Sequence, residues 1–241
     1  MKAICLMSGG LDSTVTAYFA KLLGYKIYAL TFDYGQKHRK EIDCAMRVAK
    51  ILGVKEHRIL KIELPDSSVS ALTTNTINVP EGNIYRTEIP STYVPFRNTI
   101  LLSYALSWAE AIKADAVFIG ANALDYSGYR DCRPMYYEIL QRLVDVASGV
   151  PIEIKTPIIK LNKREIIELG SRLDVPFEET WSCYQGNERP CLRCDSCLLR
   201  AKGFYENDAA DPALTEKEWK TITAQLLGRY IISLLFNSKV E

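Results

Sequence analysis

The chain has 241 residues, a length that suits one α/β domain of ordinary size with a small appendage. Its 30 Lys and Arg residues nearly balance 29 Asp and Glu residues, so no sequence-wide basic excess indicates a nucleic-acid surface. The sequence shows neither a signal peptide nor an apolar run long enough to cross a bilayer, which predicts a cytoplasmic protein. In that compartment seven cysteines indicate metal-binding or catalytic thiols ahead of disulfides.

The beginning of the chain predicts a buried strand that turns directly into a helix. Residues 2–7 are a short apolar run, typical of a strand buried on both faces of a sheet. Apolar residues then recur at helical spacing from residue 13 until Gly24, which is a C-terminal stop signal. The predicted apolar face of this helix consists of Val15, Phe19, Leu22 and Leu23.

The turn between this strand and helix has the composition of a phosphate-binding loop, Ser8-Gly9-Gly10-Leu11-Asp12-Ser13. Two glycines allow a tight turn, so that N–H groups converge with the positive end of the helix on one anion. A carboxylate at Asp12 would repel a phosphate unless it caps the helix or holds a metal ion. A plain strand-to-helix turn is the alternative. Neither a Walker-type loop nor a dinucleotide fingerprint is present. The stretch resembles the PP-loop of the ATP pyrophosphatases, which cleave ATP between its α and β phosphates.

A second apolar strand, predicted over 26–32, leads into Asp33 at the edge where open parallel sheets bind ligands. There the Asp33 carboxylate can accept a hydrogen bond from a ribose hydroxyl or an adenine amino group. His38 follows, either as a ligand contact or as a solvated residue. The pattern then predicts a helix over 40–52 and a strand over 56–62, in which His57 is structural.

Residues 63–95 lack periodicity and predict a long loop that covers the substrate as a lid. A helix is predicted over 99–112, with Asn98 as its N-cap. Arg97 at the same helix entrance can contact a phosphate or carboxylate through two hydrogen bonds, or it pairs with a surface acid.

The loop over 121–133, after a strand predicted at 116–120, contains two Asp, two Tyr and two Arg residues. Such a density of hydrogen-bonding and stacking groups suits a flat polar heterocycle, and a solvated loop is the alternative. Cys132 is expected to act non-covalently, because no histidine lies near it in the sequence.

A helix over 135–147 and a strand over 152–156 lead to a capping box, Asn162-Lys163-Arg164-Glu165, which begins another helix. Lys163 in the first turn opposes the helix dipole. This misplaced charge indicates either an anionic ligand or a solvated lysine.

Four cysteines near the C-terminus, Cys183, Cys191, Cys194 and Cys197, have the spacing of a closed tetrahedral zinc site, which implies a structural metal. A redox pair is the alternative, but it leaves two cysteines unexplained. Beyond them, residues 215–236 predict an amphipathic helix that covers either the core or a second subunit.

Taken together, these blocks resemble the 7-cyano-7-deazaguanine synthases, the nitrile-forming enzymes of the queuosine pathway. The likeness runs from residue 2 to about residue 204. Phe96 departs from the family, which usually has a small residue there, often Gly, so we expect it to narrow the pocket or reorient Arg97. Arg130 stands where Pro is common. The matching stretches are 8–13, 31–38, 90–95, 97–98, 125–129, 131–133, 161–163 and 182–184 with the three later cysteines.

The resemblance implies a doubly wound open parallel sheet of the adenine nucleotide alpha hydrolase type. It implies an ATP-binding domain over 1–178, a zinc-binding segment over 179–204 and a helical extension over 205–241. The expected cofactors are one structural Zn²⁺ and ATP with Mg²⁺. The expected partners are 7-carboxy-7-deazaguanine, ammonia and a second copy of the chain, with no direct nucleic-acid contact and no membrane.

The resemblance also assigns roles to residues. Asp12, Arg97 and Lys163 are the expected catalytic residues. The expected ATP site comprises Met7, Ser8, Gly9, Gly10, Leu11, Asp12, Ser13, Thr14 and Asp33. The expected substrate site comprises Arg97, Asn98, Asp125, Tyr126, Ser127, Asp131 and Arg133.

Other functions are compatible with these motifs. Another carboxylate-adenylating amide ligase would share the PP-loop and differ in the loops that set specificity. A tRNA-thiolating enzyme would use the cysteines for sulfur transfer, which the charge balance disfavours. A non-catalytic nucleotide sensor would turn ATP over slowly or not at all. The loop type favours AMP over ADP as the nucleotide product.

Overall fold

The structure is a computed structural model that describes residues 1–37, 39–64, 70–74, 76–82, 91–124, 129–185 and 188–237, with side chains as far as residue 228. Within these ranges strands and helices alternate through most of the chain. Two short 3-10 turns lie at Arg130–Cys132 and Phe177–Glu179. The elements are β1 (Lys2–Leu6), α1 (Leu11–Leu22), β2 (Lys26–Asp33), α2 (Lys40–Leu52), β3 (Glu56–Lys61), α3 (Arg97–Ala111), β4 (Ala116–Phe118), α4 (Pro134–Ala147), β5 (Glu153–Lys155), α5 (Lys163–Arg172), α6 (Asp195–Tyr205) and α7 (Glu216–Asn237).

The five strands form one parallel sheet in the order β3-β2-β1-β4-β5. The chain moves outward from β1 to β3 on one side and then crosses to β4 on the other. The strand order therefore reverses between β1 and β4, and in open α/β sheets the crevice beyond this switch point is where ligands bind.

Helices cover both faces of the sheet, as predicted for a doubly wound fold. Because side chains alternate along β1, Ile4 and Leu6 point to the face covered by α3 and α4. Ala3 and Cys5 point to the opposite face, which α1 and α2 cover. Strands buried on both sides explain why β1 and β2 are almost continuously apolar.

Two details of α1 differ from the sequence prediction. The helix begins at Leu11, inside the glycine turn, and its C-terminal leucines Leu22 and Leu23 are exposed. Its buried face instead includes Leu11, Val15 and Ala17, because the helix is packed on two sides.

The predicted capping box at α5 is confirmed. The Asn162 side chain accepts a hydrogen bond from the Glu165 N–H at 3.0 Å, and the Glu165 carboxylate accepts one from the Asn162 N–H at 2.8 Å. Ile166 and Ile167 then pack against Leu11 and Val15 of α1. The capped start of α5 is thereby held close to the glycine turn.

The cysteine segment and the last two helices pack against this side of the molecule. Cys183, Cys194 and Cys197 are buried together with Trp181 and with Ile222 of α7. No helix in the described part of the chain is both long and apolar enough to cross a membrane.

Candidate functional site

A cavity of about 250 Å³ lies beyond the carboxyl ends of the strands, at the switch point of the sheet. Its floor is formed by the loop after β1, residues 6–8 and 10–13, and by the loop after β4, residues 119–122. Lys163 of α5, Arg97 of α3 and Trp181 beside the cysteines contribute to its walls. The cavity therefore brings together residues from most of the predicted site motifs.

The turn over residues 8–13 requires glycine at position 9. Gly9 has a φ of +84°, and a Cβ there would lie 2.0 Å from the Glu41 carbonyl oxygen of α2. Gly10 is the N-cap residue of α1, and its N–H donates to Ser8 Oγ at 3.2 Å. Ser8 Oγ in turn lies 3.0 Å from Ser13 Oγ. The turn is thus closed on itself, with the start of α1 directed at the cavity.

The loop after β4 lies directly against the start of α1. A Cβ on Gly120 would lie 2.8 Å from the carbonyl oxygen of Asp12, so this glycine permits the close approach. Asn122 next to it donates from its side chain to the carbonyl oxygen of Leu161, which precedes α5. Sequence reasoning missed Asn122, whose role depends on a partner far along the chain.

Asp12 and Lys163 form an ion pair at the cavity wall. The Lys163 Nζ donates to both carboxylate oxygens of Asp12, at 2.6 and 2.9 Å. The Lys163 side chain is 11% exposed and that of Asp12 is 24% exposed, so solvent screens the pair only partly. The two residues that the sequence assigned separately to metal and phosphate contacts therefore act on each other.

Helix α6 makes room for the stem of Lys163. A Cβ on Gly203 would lie 2.7 Å from Lys163 Cγ and 2.8 Å from Ile167 Cδ1. Gly203 therefore lets α6 approach the first turn of α5 closely. It is a second residue that the sequence patterns did not identify.

Arg97 lies on the opposite wall, among tyrosines. Its Nη1 donates to the Tyr34 hydroxyl at 3.4 Å, and its guanidinium carbon lies 6.0 Å from the Tyr34 ring centroid. Burial lowers the pKa of Arg97, but Tyr34, Tyr129 and Asp131 raise it by more, so the guanidinium stays charged. A partly buried cation facing a cavity is suited to an anionic ligand.

The prediction that Asn98 caps α3 is wrong. Asn98 is the second residue of the helix, and the N-cap is Phe96. The Asn98 N–H donates to the Asp131 carboxylate at 3.3 Å, and its side chain donates to the Asp131 carbonyl at 3.3 Å. The capping oxygen thus comes from another loop, which sequence periodicity does not reveal.

Phe96 does not narrow the cavity, so the first of its two expected effects is wrong, and a reorientation of Arg97 stays a prediction. Its side chain is 69% exposed and is not part of the cavity wall. Its φ is 52°, in the left-handed region that favours glycine. The backbone at this position therefore accounts for the small residue that the family usually has there.

The predicted substrate residues do not all line the cavity. Asn98 lines the cavity, whereas Asp131 lies buried beside it with its carboxylate bonded to α3, and Arg133 is exposed at the start of α4. Their roles stay predictions. The predictions for Asp125, Tyr126 and Ser127, and for His38, lie outside the described residues.

Tyr129 and Cys132, near the end of the predicted substrate loop over 121–133, line the cavity. Burial raises the pKa of the Cys132 thiol to about 11, and the Asp131 carboxylate also raises it. The thiol is therefore protonated at neutral pH. This agrees with the expectation that Cys132 acts non-covalently.

Asp33 ends β2, but its carboxylate is already bonded within its own loop. Oδ2 accepts from Arg39 at 2.9 Å, and Oδ1 accepts from the Gly35 N–H at 3.3 Å. The neighbouring Tyr34 and Gln36 line the cavity, whereas Asp33 does not. The nucleoside contact assigned to Asp33 stays a prediction.

The four predicted metal ligands come together. The Sγ atoms of Cys183, Cys191, Cys194 and Cys197 all lie within 4.8 Å of one another, and those of Cys191 and Cys197 are 4.0 Å apart. A tetrahedral zinc ion with Zn–S bonds of about 2.3 Å holds its sulfur ligands about 3.8 Å apart. The cluster can therefore hold one metal ion of this kind.

The cysteine segment also forms one wall of the cavity, which the sequence did not predict. Side chains from both ends of the segment reach it because α6 starts within the cluster and runs alongside α5. The residues concerned are Trp181, Ser182, Tyr184, Ser196 and Arg200.

With this site established, the family of the protein is clear from its relatives. The model of the family described as queuosine biosynthesis protein QueC matches residues 2–208, and the chain belongs to that family. Among curated relatives, a 7-cyano-7-deazaguanine synthase from Thermosynechococcus vestitus is 50% identical over 219 residues, covering 88% of this chain and 94% of the relative.

A second relative with the same name, from Saccharophagus degradans, is 49% identical over 218 residues, covering 88% of this chain and 96% of its own length. Among solved structures, an NMN synthetase from Francisella tularensis superposes with a TM-score of 0.47 at 18% identity, covering 92% of this chain and 82% of that one.

Proposed function

We propose that the protein converts 7-carboxy-7-deazaguanine and ammonia into 7-cyano-7-deazaguanine at the expense of ATP. The observation that carries the proposal is the cavity that is lined by the glycine turn and by Lys163, which is paired with Asp12 of that turn. The family membership and the names of its relatives agree with it. A cytoplasmic location is part of the proposal, since ATP is supplied there and free thiols persist there.

The first step activates the acid. A carboxylate is a poor acyl donor, because its leaving group would be oxide. A carboxylate oxygen attacks the α-phosphorus of ATP, the bond to the bridging oxygen breaks, and pyrophosphate leaves with that oxygen. In this proposal the Gly9 N–H, the hydroxyls of Ser8 and Ser13 and the positive end of α1 stabilise the charge that develops on the leaving group.

The remaining steps introduce the nitrogen atom as an amide and then activate that amide with a second ATP. Ammonia attacks the acyl carbon, AMP leaves with one former carboxylate oxygen, and loss of a proton gives the amide. The amide oxygen then attacks a second ATP and releases pyrophosphate. Loss of AMP and of the two remaining N–H protons forms the nitrile, so every oxygen of the acid departs on AMP.

The two cationic side chains have separate tasks in this scheme. The Lys163 Nζ lies within 3 Å of Asp12 at the start of α1, and therefore beside the glycine turn. In this proposal its positive charge neutralises the phosphates that bind at the turn. Arg97 on the opposite wall orients the acid, with Tyr34 holding its guanidinium. The loop containing Asp131 and Arg133 recognises the deazaguanine.

Two metal ions belong to the proposal. The four clustered thiols hold a structural Zn²⁺, for which the sulfur separations and the absence of a non-sulfur ligand in the group are suitable. Asp12 supplies a carboxylate oxygen for the Mg²⁺ that accompanies ATP, since hard oxygen ligands suit this ion. The Mg²⁺ supplies neutralisation of phosphate charge.

The decisive experiment incubates the protein with ATP, Mg²⁺, ammonium and 7-carboxy-7-deazaguanine, followed by mass spectrometry of bases and nucleotides. We expect the nitrile together with AMP and pyrophosphate. Absence of the nitrile would refute the function, and formation of ADP and phosphate alone would refute the adenylation step.

The variant Gly10→Val tests the glycine turn and should abolish turnover. Gly149→Val, at a site where a side chain meets only the flexible Glu110 carboxylate, is the matched control.

We also propose that the protein is a homodimer, formed through α4. This helix carries an exposed apolar row of Met135 (68% exposed), Ile139 (60%), Leu143 (59%) and Val146 (88%). Exposed Glu138 and Arg142 flank the row. In an antiparallel pair of α4 helices related by a twofold axis near residue 140, Glu138 of each copy meets Arg142 of the other. A second copy is therefore complementary to this face in both apolarity and charge.

A further inference from the structure

The cysteine cluster is bonded to the glycine turn through one residue, Trp181. Its backbone N–H donates to the Gly9 carbonyl oxygen at 2.9 Å. Its indole Nε1–H donates to the Cys183 carbonyl oxygen at 2.8 Å. Trp181 is thus bonded at one end to the turn that faces the cavity and at the other to a residue whose thiol belongs to the cluster.

The first of these bonds fixes the orientation of a peptide plane. In a trans peptide the C=O and N–H groups point in opposite directions. Because the Gly9 carbonyl points at the Trp181 N–H, the Gly10 N–H of the same peptide points away from Trp181, toward the Ser8 side of the turn. The two glycines that flank this peptide would otherwise allow it to rotate, since neither has a side chain to restrict ψ of residue 9 or φ of residue 10.

The second bond and the surrounding packing hold Trp181 itself in place. The ring is buried beside the cysteines, and the Lys40 Nζ lies 4.8 Å from its centroid. Trp181 also lines the cavity. A shift of Cys183 therefore moves Trp181, and a shift of Trp181 moves the Gly9–Gly10 peptide.

We propose that Trp181 is a positioning residue, which transmits the order of the metal-bound cysteine cluster to the Gly9–Gly10 peptide of the turn at which ATP binds. The proposal rests on the proposed function, in which ATP binds at this turn. In consequence, the metal supports nucleotide binding as well as folding. The cluster and the glycine turn form one unit, although more than 170 residues separate Gly9 from Cys183 in the sequence.

Trp181→Phe tests the link, because it removes the indole N–H and keeps the ring and the backbone N–H. Trp108→Phe is the matched control. Trp108 is a buried residue of α3 that does not line the cavity, and its indole Nε1 has no hydrogen-bond partner among the described residues. Binding of a non-hydrolysable ATP analogue with Mg²⁺ is measured by calorimetry, and zinc content by elemental mass spectrometry.

We expect Trp181→Phe to weaken binding of the analogue roughly 3- to 10-fold, the range that one hydrogen bond provides, with zinc content close to that of the wild type. The KM for ATP should rise by a similar factor while the KM for ammonium stays constant. Trp108→Phe should bind the analogue as the wild type does. Equal analogue affinity in Trp181→Phe and wild type would overturn the inference. Failure of the wild type itself to bind would instead overturn the proposed function.

A second measurement applies even if Trp181→Phe does not fold. In the Trp108→Phe/Trp219→Phe variant, Trp181 is the single tryptophan, since the chain has three. Removal of zinc by a chelator should shift the Trp181 emission and weaken analogue binding, and added zinc should reverse both changes. An emission shift without a change in affinity would show that Trp181 senses the cluster but does not position the turn.

Discussion

The Lys163 ammonium lies where a helix disfavours it, in the first turn of α5. The Asp12 carboxylate offsets this cost, because it accepts two hydrogen bonds from Nζ, at 2.6 and 2.9 Å. A charge held in this way is ordered before a ligand arrives, so the enzyme does not reorganise it during the reaction. The value of the pair therefore lies in preorganisation more than in stability, since partly buried ion pairs add little net stability.

Replacement of Lys163 should affect catalysis far more than folding. We expect Lys163→Met to lower kcat/KM by about 100-fold, the cost of losing one preorganised charged donor. Lys160→Met, three residues earlier at an exposed position, should leave the rate unchanged. Steady-state kinetics with varied ATP compare the two variants. A kcat/KM close to that of the wild type in Lys163→Met would show that Lys163 has no catalytic role.

The Cys132 thiol tests whether the reaction proceeds through a covalent enzyme intermediate. Burial raises the pKa of Cys132 to about 11, so less than about 1% of it is thiolate at neutral pH, and a thiol is a poor nucleophile. We therefore expect Cys132→Ser to retain kcat within about threefold. Intact-protein mass spectrometry during turnover should find no adduct on the wild type. A loss of activity above 100-fold in Cys132→Ser, or a trapped adduct, would contradict this expectation.

Phe96 occupies a backbone conformation that costs energy for any side chain. A non-glycine residue in the left-handed region is destabilised by about 1–2 kcal/mol, and the exposed Phe96 ring contributes little in return. We expect Phe96→Gly to be about 1 kcal/mol more stable than Phe96→Ala in urea denaturation. The Ala variant is the control, since it removes the same ring and keeps the strained backbone. Equal stability of the two variants would show that φ at this position is relaxed in solution.

Among the secondary-structure elements, α5 and α6 connect Lys163 with the cysteine cluster. Cys194 is the N-cap of α6 and Cys197 lies in its first turn, whereas Phe204 near its end packs against Phe177 with ring centroids 5.2 Å apart. Arg200 between them is bonded to Asp211 and to the backbone before Trp181. The predicted boundaries at 178 and 204 stay predictions, and α6 contributes to both sides of the second one.

Gly203 sets the distance between these two helices. We expect Gly203→Ala to lower the free energy of unfolding by about 1–3 kcal/mol, because the added methyl group overpacks the contact with Lys163 Cγ at 2.7 Å. The KM for ATP should rise as Lys163 moves. Gly228→Ala in α7 is the control, since nothing lies within 4 Å of a Cβ there, and it should be stabilising by up to about 1 kcal/mol. Equal effects of both variants would mean that α6 adjusts freely.

Across the fold, sequence patterns predicted those features that are determined by residues close together in the chain. The apolar runs at β1 and β2, the capping box at Asn162 and the spacing of the four cysteines each arise from short stretches, and the structure agrees with them. The Asp12–Lys163 pair joins positions 151 residues apart, so no local pattern could indicate it. The same reason applies to Asp131 at the start of α3 and to Trp181 at the glycine turn.

Leu22 illustrates a different limit. Helical spacing placed it on the apolar face of α1, but Leu22 is exposed in the structure. Periodicity identifies an apolar face, whereas burial depends on what lies opposite each turn. The apolar row on α4 is the reverse case, because the sequence identified the helix while only the structure shows that one apolar side of it faces outward.

That row leads to the last prediction, which concerns assembly. We expect the wild type to be a dimer by size-exclusion chromatography with light scattering, and Leu143→Glu to be a folded monomer, because the substitution would bury two unpaired carboxylates, one from each copy, in an apolar contact. Leu227→Glu on α7 is the control, since Leu227 is also exposed but lies outside the proposed interface, and it should remain dimeric. The pair Glu138→Arg/Arg142→Glu should restore charge complementarity and dimerise, whereas Glu138→Arg alone should weaken the dimer. A monomeric wild type, or a dimer that tolerates Leu143→Glu, would exclude α4 as the contact between copies.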